Sequence, residues 1–201
     1  MMRLTVVSLL ALALSAAPAR AQETWNIDSG HSAAHFAVRH MLVSTVRGDM
    51  GPVKGTVTWD GQDVRTVRVE AVIDVTGVNT RHEGRDKDLR SANFFEVEKY
   101  PEMTFTSTRV ADVTDGGFTL VGRLTMHGVT REVTLDVEGP TPPVKVRNSL
   151  RTGATATTTL NRFDFGLNWN RMIETGGLVV SEEVKVTIDL ELIQAPPGGG
   201  R

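Results

Sequence analysis

Apolar and polar residues alternate strictly along most of this chain, and a period of two leaves little room for anything but half-buried β-strands. From Glu183 to Leu192, the residues Val184, Val186, Ile188, Leu190 and Leu192 share one face, and Lys185, Thr187, Asp189 and Glu191 share the other. Val133, Leu135 and Val137 likewise oppose Glu132, Thr134, Asp136 and Glu138. The pattern recurs in Val67, Val69, Ala71, Ile73 and Val75, in Val53, Gly55, Val57 and Trp59, and in Phe118, Leu120, Gly122, Leu124 and Met126. Ala34, Phe36, Val38 and His40 form a further face, and Met103 and Phe105 continue the theme after Pro101. Asp60-Gly61, Asp115-Gly116-Gly117 and His127-Gly128 supply turns between the runs. The expected fold is all-β, with about eight antiparallel strands around one interior; closure into a barrel would remove the open edges.

One segment breaks the alternation. Residues 81–90 are densely charged and hold no β-branched residue, so they read as a short helix or a structured loop. The stretch that follows, Asn93 to Pro101, gathers Phe94, Phe95 and Tyr100 beside a proline. Together they are expected to cap one end of the barrel.

The first 21 residues read as a secretory signal. Arg3 gives a positive start, Leu4 to Ala17 is an apolar run of 14 residues, and Ala19-Arg20-Ala21 offers small residues for cleavage before Gln22. The run falls short of the ~20 apolar residues that span a bilayer. This predicts export of a domain over residues 22–194 with a disordered tail at 195–201. Loss of Arg3 and Arg20 would take the formal charge from -2 to -4. That balance excludes a general nucleic-acid binder, which shows a basic face. The absence of cysteine leaves stability to the core, which the 40% hydrophobic content can supply.

The motifs for chemistry are weak. His31 and His35 stand four apart, but on a strand that spacing separates them by ~13 Å. There is no cysteine and no His-x-His or His-Glu-x-x-His, so no metal site and no cofactor are expected. No Gly-x-Ser-x-Gly elbow is present. Arg85, Asp86 and Arg90 read as a salt-bridged cap, or as a contact for a polar head group. The inward faces are dominated by Val, Ala, Gly and Thr, with Ala154, Ala156 and Thr158 as a slim wall and Gly48, Gly55 and Gly122 adding no side chain. A barrel of this size either fills itself or holds one small ligand, and alternation fits both outcomes.

Several blocks, in order, carry a family resemblance. They are Trp25-Asn-Ile-Asp-Ser-Gly-His-Ser32, Phe36-x-Val38-x-His40, Val46-x-Gly48, Asn79-Thr80 and Arg85-Asp86-x-x-Leu89-Arg90-Ser91-x-x-Phe94-Phe95. Then come Glu98-Lys99-Tyr100-Pro101, Thr104-Phe105-x-Ser107-Thr108, Gly122-x-Leu124-Thr125-Met126-His127-Gly128-Val129-Thr130 and Asn161-Arg162-x-Asp164-Phe165-Gly166. The chain so resembles the YceI family over essentially all of its length after the leader. The resemblance implies a lipocalin-like antiparallel barrel, periplasmic export, and a long internal tunnel for a polyisoprenoid or isoprenoid quinone. It also implies a homodimer as a candidate assembly. Met50 and Ala33-Ala34 depart from the larger residues often found there, and are expected to widen the cavity or loosen one end.

On this reading the ligand-binding residues are Phe36, Val38, Val57, Trp59, Ala71, Ile73, Phe105, Leu124, Met126, Ala156, Val186 and Ile188. Phe94 and Phe95 are expected to close a lid, and His40 and Arg85 are candidate head-group contacts. The expected function is a non-enzymatic carrier or sequestering protein for an isoprenoid lipid. Two alternatives stay open: an enzyme acting on a bound quinone-like lipid, with His40 as its visible interior group, and a solid-core stress-response interaction protein.

Overall fold

The computed structural model describes residues 22–172 and 178–195; the expected leader and the tail beyond Ala195 lie outside them. The alternating runs become eleven strands in one sheet. They are β1 (Glu23–Ile27), β2 (Ala33–His40), β3 (Ser44–Asp49), β4 (Val53–Trp59), β5 (Arg68–Asp74), β6 (Glu102–Ala111), β7 (Gly117–Met126), β8 (Val129–Glu138), β9 (Val144–Val146), β10 (Ser149–Asn161) and β11 (Val180–Gln194). β5 is shorter than its apolar pattern because Asp63 and Asp74 accept the Arg65 and Thr76 N–H groups and start 3-10 turns at either end. Between β7 and β8, His127 and Gly128 both have positive φ, 51° and 74°, which makes the tight turn that their sequence predicts.

Closure depends on β11. One edge of β11 pairs with β10 from Asn161↔Glu183 to Arg151↔Ile193. Its other edge pairs first with β2 and then with β1. β1 and β2 are thus two halves of one stave, broken at residues 28–32. β3 and β4 form the next stave in the same way, because β3 pairs with β2 and β4 with β1. β8 and β9 likewise share one edge of β10, so with these three broken staves counted once each, the sheet is a closed antiparallel barrel of eight with one helix, as the alternation and the family resemblance predict. Trp25, Val53, Val75, Val78 and Phe165 are the most deeply buried of its large side chains.

The polar segment forms α1 (Glu83–Arg90) at the upper end, where β5 stops and β6 begins. Eight residues are too few for a helix to stand alone in water, so tertiary contacts hold it. The ties are hydrogen bonds, not the salt bridges expected. Asp86, buried, accepts the Thr80 N–H and hydroxyl. Arg85 donates to the Thr80 hydroxyl at 2.7 Å and the Thr80 carbonyl at 3.0 Å. Arg90 donates to the carbonyls of Thr76 at 2.9 Å and Val78 at 2.6 Å. Geometry explains the difference: the chain after β5 turns across the barrel mouth and presents its backbone carbonyls to the helix.

Burial works against ionisation of Asp86, but the Thr80 hydroxyl, the Thr80 and His82 N–H groups and the Arg90 charge outweigh it and hold its pKa below the usual carboxylate value. A carboxylate with a lowered folded-state pKa stabilises fully above its unfolded value of about 3.9 and loses that contribution as pH falls through the folded value. Thermal unfolding of wild type and Asp86→Asn from pH 7 to strong acid should therefore show a wild-type advantage that is intact above about pH 4 and shrinks below it. A gap that ignores pH would mean the carboxylate is not the tie.

Candidate functional site

Inward residues of the closed barrel line a lower cavity of about 120 Å³ that extends from Ile73 and Met103, beneath the cap, to Trp59 and Leu192 at the opposite end. Its wall is hydrocarbon apart from the threonines, such as Thr104 and Thr158. Cross-strand register builds it: Ala71 faces Phe105, Phe105 faces Leu124, and Ala156 faces Ile188. Val57, Trp59, Ala71, Ile73, Phe105, Leu124, Ala156, Val186 and Ile188 all line this space. Ala154, Ala156 and Thr158 line it together as one slim wall.

A second compartment of about 150 Å³ lies under the cap. It brings together Phe36, Val38, His40, Arg85 and Phe94 with Val46, Asp88, Leu89, Trp169, Val179 and Val180. The Phe94 and Trp169 rings meet at 5.3 Å and cover part of it. The compartments have no lining residue in common. Phe36 stands at the boundary: it lines the upper space, while Val186, its partner across the strands, lines the lower. The interior thus holds two neighbouring chambers with Phe36 between them. Phe95 and Met126 are buried but line neither chamber.

The slim-wall reading needs correction at the glycines. The Phe105 ring occupies the space a Cβ on Gly122 would need, 2.4 Å away, and Phe36 and Thr80 crowd Gly48 at 2.8 and 2.7 Å. At Gly55 a Cβ would meet the Glu70 carbonyl oxygen at 2.1 Å. These glycines admit a neighbouring ring or backbone; they do not open the cavity. Met50 lines the cavity. Its flexible thioether side chain is buried in the lower wall, and its N–H donates to the Ala34 carbonyl at 2.8 Å.

The YceI-like domain family matches residues 25–192. This chain belongs to the YceI-like family. A UPF0312 protein of Staphylococcus aureus strain MSSA476 is 33% identical over 168 residues, covering 83% of this chain and 95% of that one. Among solved structures, BcnA of Burkholderia cenocepacia superposes with a TM-score of 0.70 at 18% identity, covering 82% of this chain and 98% of the other. A Campylobacter jejuni YceI protein gives 0.68 at 24% identity, with 79% and 90% covered. A polyisoprenoid-binding domain from Saccharophagus degradans, implicated in plant cell wall breakdown, gives 0.61 at 19% identity, with 86% and 98% covered. At these identities the three structures share the fold with this YceI-like chain.

Two features of the YceI-like barrel escaped the sequence reading. Arg162 is buried, and its guanidinium donates to four carbonyls: Leu167, Trp169 at 2.9 Å, Ser181 at 2.9 Å and Val180 at 3.2 Å. Desolvation lowers its pKa, offset in part by the charge of Glu182. It makes no ion pair among the described residues and instead fastens the loop bearing Trp169 to the start of β11. Its presence in the Asn161-Arg162 block was the only signal, and the block does not say that the side chain turns inward. The second is a cluster on the outer lower face, where ligand atoms of Asp28, His31 and Glu191 lie within 4.8 Å of one another. Arg151 donates to Asp28 at 3.1 Å and to Glu191, so a guanidinium already holds the position a metal ion would take. His35 pairs separately with Asp49 at 2.6 Å.

Replacement of Arg162 by Lys keeps the charge but cannot reach four carbonyls. We expect a loss of about 3 kcal/mol in unfolding free energy, in line with buried acceptors left unpaired. Amide exchange should accelerate at residues 167–170 and 180–181 and stay unchanged around Phe118. Uniform acceleration would show that Arg162 supports the whole barrel and not the Trp169 loop.

Proposed function

We propose that this protein is an exported binder that holds a long apolar lipid of the isoprenoid class in the barrel interior, for transport, storage or sequestration. The enclosed hydrocarbon cavity carries this reading. A dry, rigid apolar chamber accepts what water expels, and its size resembles that of engineered cavities, of about 150 Å³, that take a benzene-sized guest. One segment of a chain fits the lower chamber as it stands. A longer chain reaches the upper chamber once the Phe36 side chain swings aside. At about 0.3 kcal/mol per heavy atom, a chain of ~30 carbons would contribute ~9 kcal/mol, which is sub-micromolar binding. The polyisoprenoid-binding description of the Saccharophagus degradans domain supports the same class of ligand. The leader-like residues 1–21 support export to the periplasm.

Binding is favoured over catalysis because the lower chamber has no acid, base or thiol among its described lining residues. His40, Arg85 and Asp88 sit in the upper chamber, where a polar head group would meet them. One further observation favours a ligand with an acceptor oxygen, such as an isoprenoid quinone. Trp59 lines the lower chamber, and its buried indole N–H has no acceptor among the described residues.

Extraction of the purified protein followed by lipid mass spectrometry should find a co-purifying isoprenoid lipid. No such lipid, together with no uptake of added isoprenoid quinone, would refute the proposal. Ala156→Trp should fill the lower chamber and abolish uptake with little change in thermal unfolding; undiminished uptake would move the ligand elsewhere. Trp59→Phe should weaken an isoprenoid quinone by about tenfold and leave an isoprenoid hydrocarbon unaffected. Equal effects on both would remove the hydrogen bond from the account.

A further inference from the structure

The turn between β2 and β3 is built against ordinary turn chemistry. Met41 and Leu42 hold left-handed backbone angles, φ 51° and 61°, where glycine or asparagine would avoid the steric cost. Their side chains do not repay that cost by burial. Met41 is 44% exposed, Leu42 63% and Val43 82%. Met172, 79% exposed, belongs to the same patch: the Met41 N–H donates to the Val179 carbonyl, and the Val179 N–H donates to the carbonyl of Arg171. Four of the six exposed large apolar side chains among the described residues thus meet at one rim of the barrel.

Exposed arginines border the patch, together with Glu182 and Glu183, which are exposed on β11 between the residues paired with His40 and Val38. No carboxylate occurs from Ser29 to Gly48, whereas Arg39 and Arg47 lie exposed on β2 and β3, and exposed Arg171 precedes Met172. Arg39 also fixes the turn, donating to the Leu42 carbonyl at 2.6 Å and the Thr45 hydroxyl at 3.1 Å. Behind the patch lies the upper chamber, whose wall includes His40 at the end of β2 and Val179 just before β11. An apolar tip flanked by three exposed arginines, in a chain of net negative charge, complements an anionic lipid surface.

We propose that the β2–β3 turn and Met172 form a membrane-docking edge that seats the upper mouth of the barrel on an anionic bilayer. This rests on the lipid-binding reading above for its purpose, though not for its test. The full-length mature protein is sedimented with vesicles of phosphatidylcholine containing phosphatidylglycerol, and with vesicles of phosphatidylcholine alone. Wild type should sediment with the anionic vesicles, and added salt should release it. The triple variant Leu42→Ser, Val43→Ser, Met172→Ser should bind at least about tenfold more weakly, since its apolar contacts are gone. Loaded with an isoprenoid quinone from detergent solution, it should match wild type; loaded from vesicles, it should be slower. Absence of vesicle binding by wild type, or equal binding by the variant, overturns the proposal. A wild-type dimer that the variant splits, with no vesicle binding by either, also overturns it and assigns the patch to self-association. If neither protein takes up quinone from detergent, the lipid-binding reading fails, and vesicle sedimentation alone still decides the docking edge.

Discussion

The continuous antiparallel pairing of β10 with β11 closes the barrel, and every other property of the interior depends on it. Without that seam the sheet would be an open ribbon with two long edges, and its apolar face would lie in water. With it, each inward side chain faces another across one enclosed space. β11 can close the ring because it is 15 residues long and serves two partners along its far edge, β2 and then β1. The breaks at 28–32 and 50–52 interrupt the first two staves, and their upper halves, β2 and β3, contribute to the upper chamber and carry the exposed turn between them.

The upper end is irregular backbone, and guanidinium groups organise it. Arg90 and Arg162 each direct more than one N–H at main-chain carbonyls, and Arg85 donates to the hydroxyl and the carbonyl of Thr80. The planar fork of arginine suits this task, since it satisfies several acceptors that no strand partner can reach. Desolvation of the charge is the opposing cost, and at Arg162 it shows directly in the lowered pKa. The result is a cap held to the barrel largely through contacts to main-chain carbonyls.

The lower end follows a different logic. Its wall is made of small and branched apolar residues on regular strands, with ring-filled glycines at the close approaches. Such a wall is rigid, so the chamber keeps its shape when empty. An apolar lower chamber and an upper chamber that includes His40, Arg85 and Asp88 give the interior two chemically distinct ends.

The period-2 pattern alone determined which residues face inward on β4, β5, β7, β8 and β11, because the alternation of a strand is a property of local geometry. The turn at His127-Gly128 was legible for the same reason: its backbone requirement is local. The ordered motif blocks were enough to indicate the family. Tertiary structure decided the rest. It put Phe95 and Met126 outside both chambers, because which inward residue meets empty space depends on the far side of the barrel. It filled Gly48 and Gly122 with rings from neighbouring strands, and turned Arg162 into the protein, through contacts far apart in sequence. It also set Met41 to Val43 at an exposed rim beside Met172, which no local pattern could reveal, since exposure is a relation among strands that the chain brings together only when it folds.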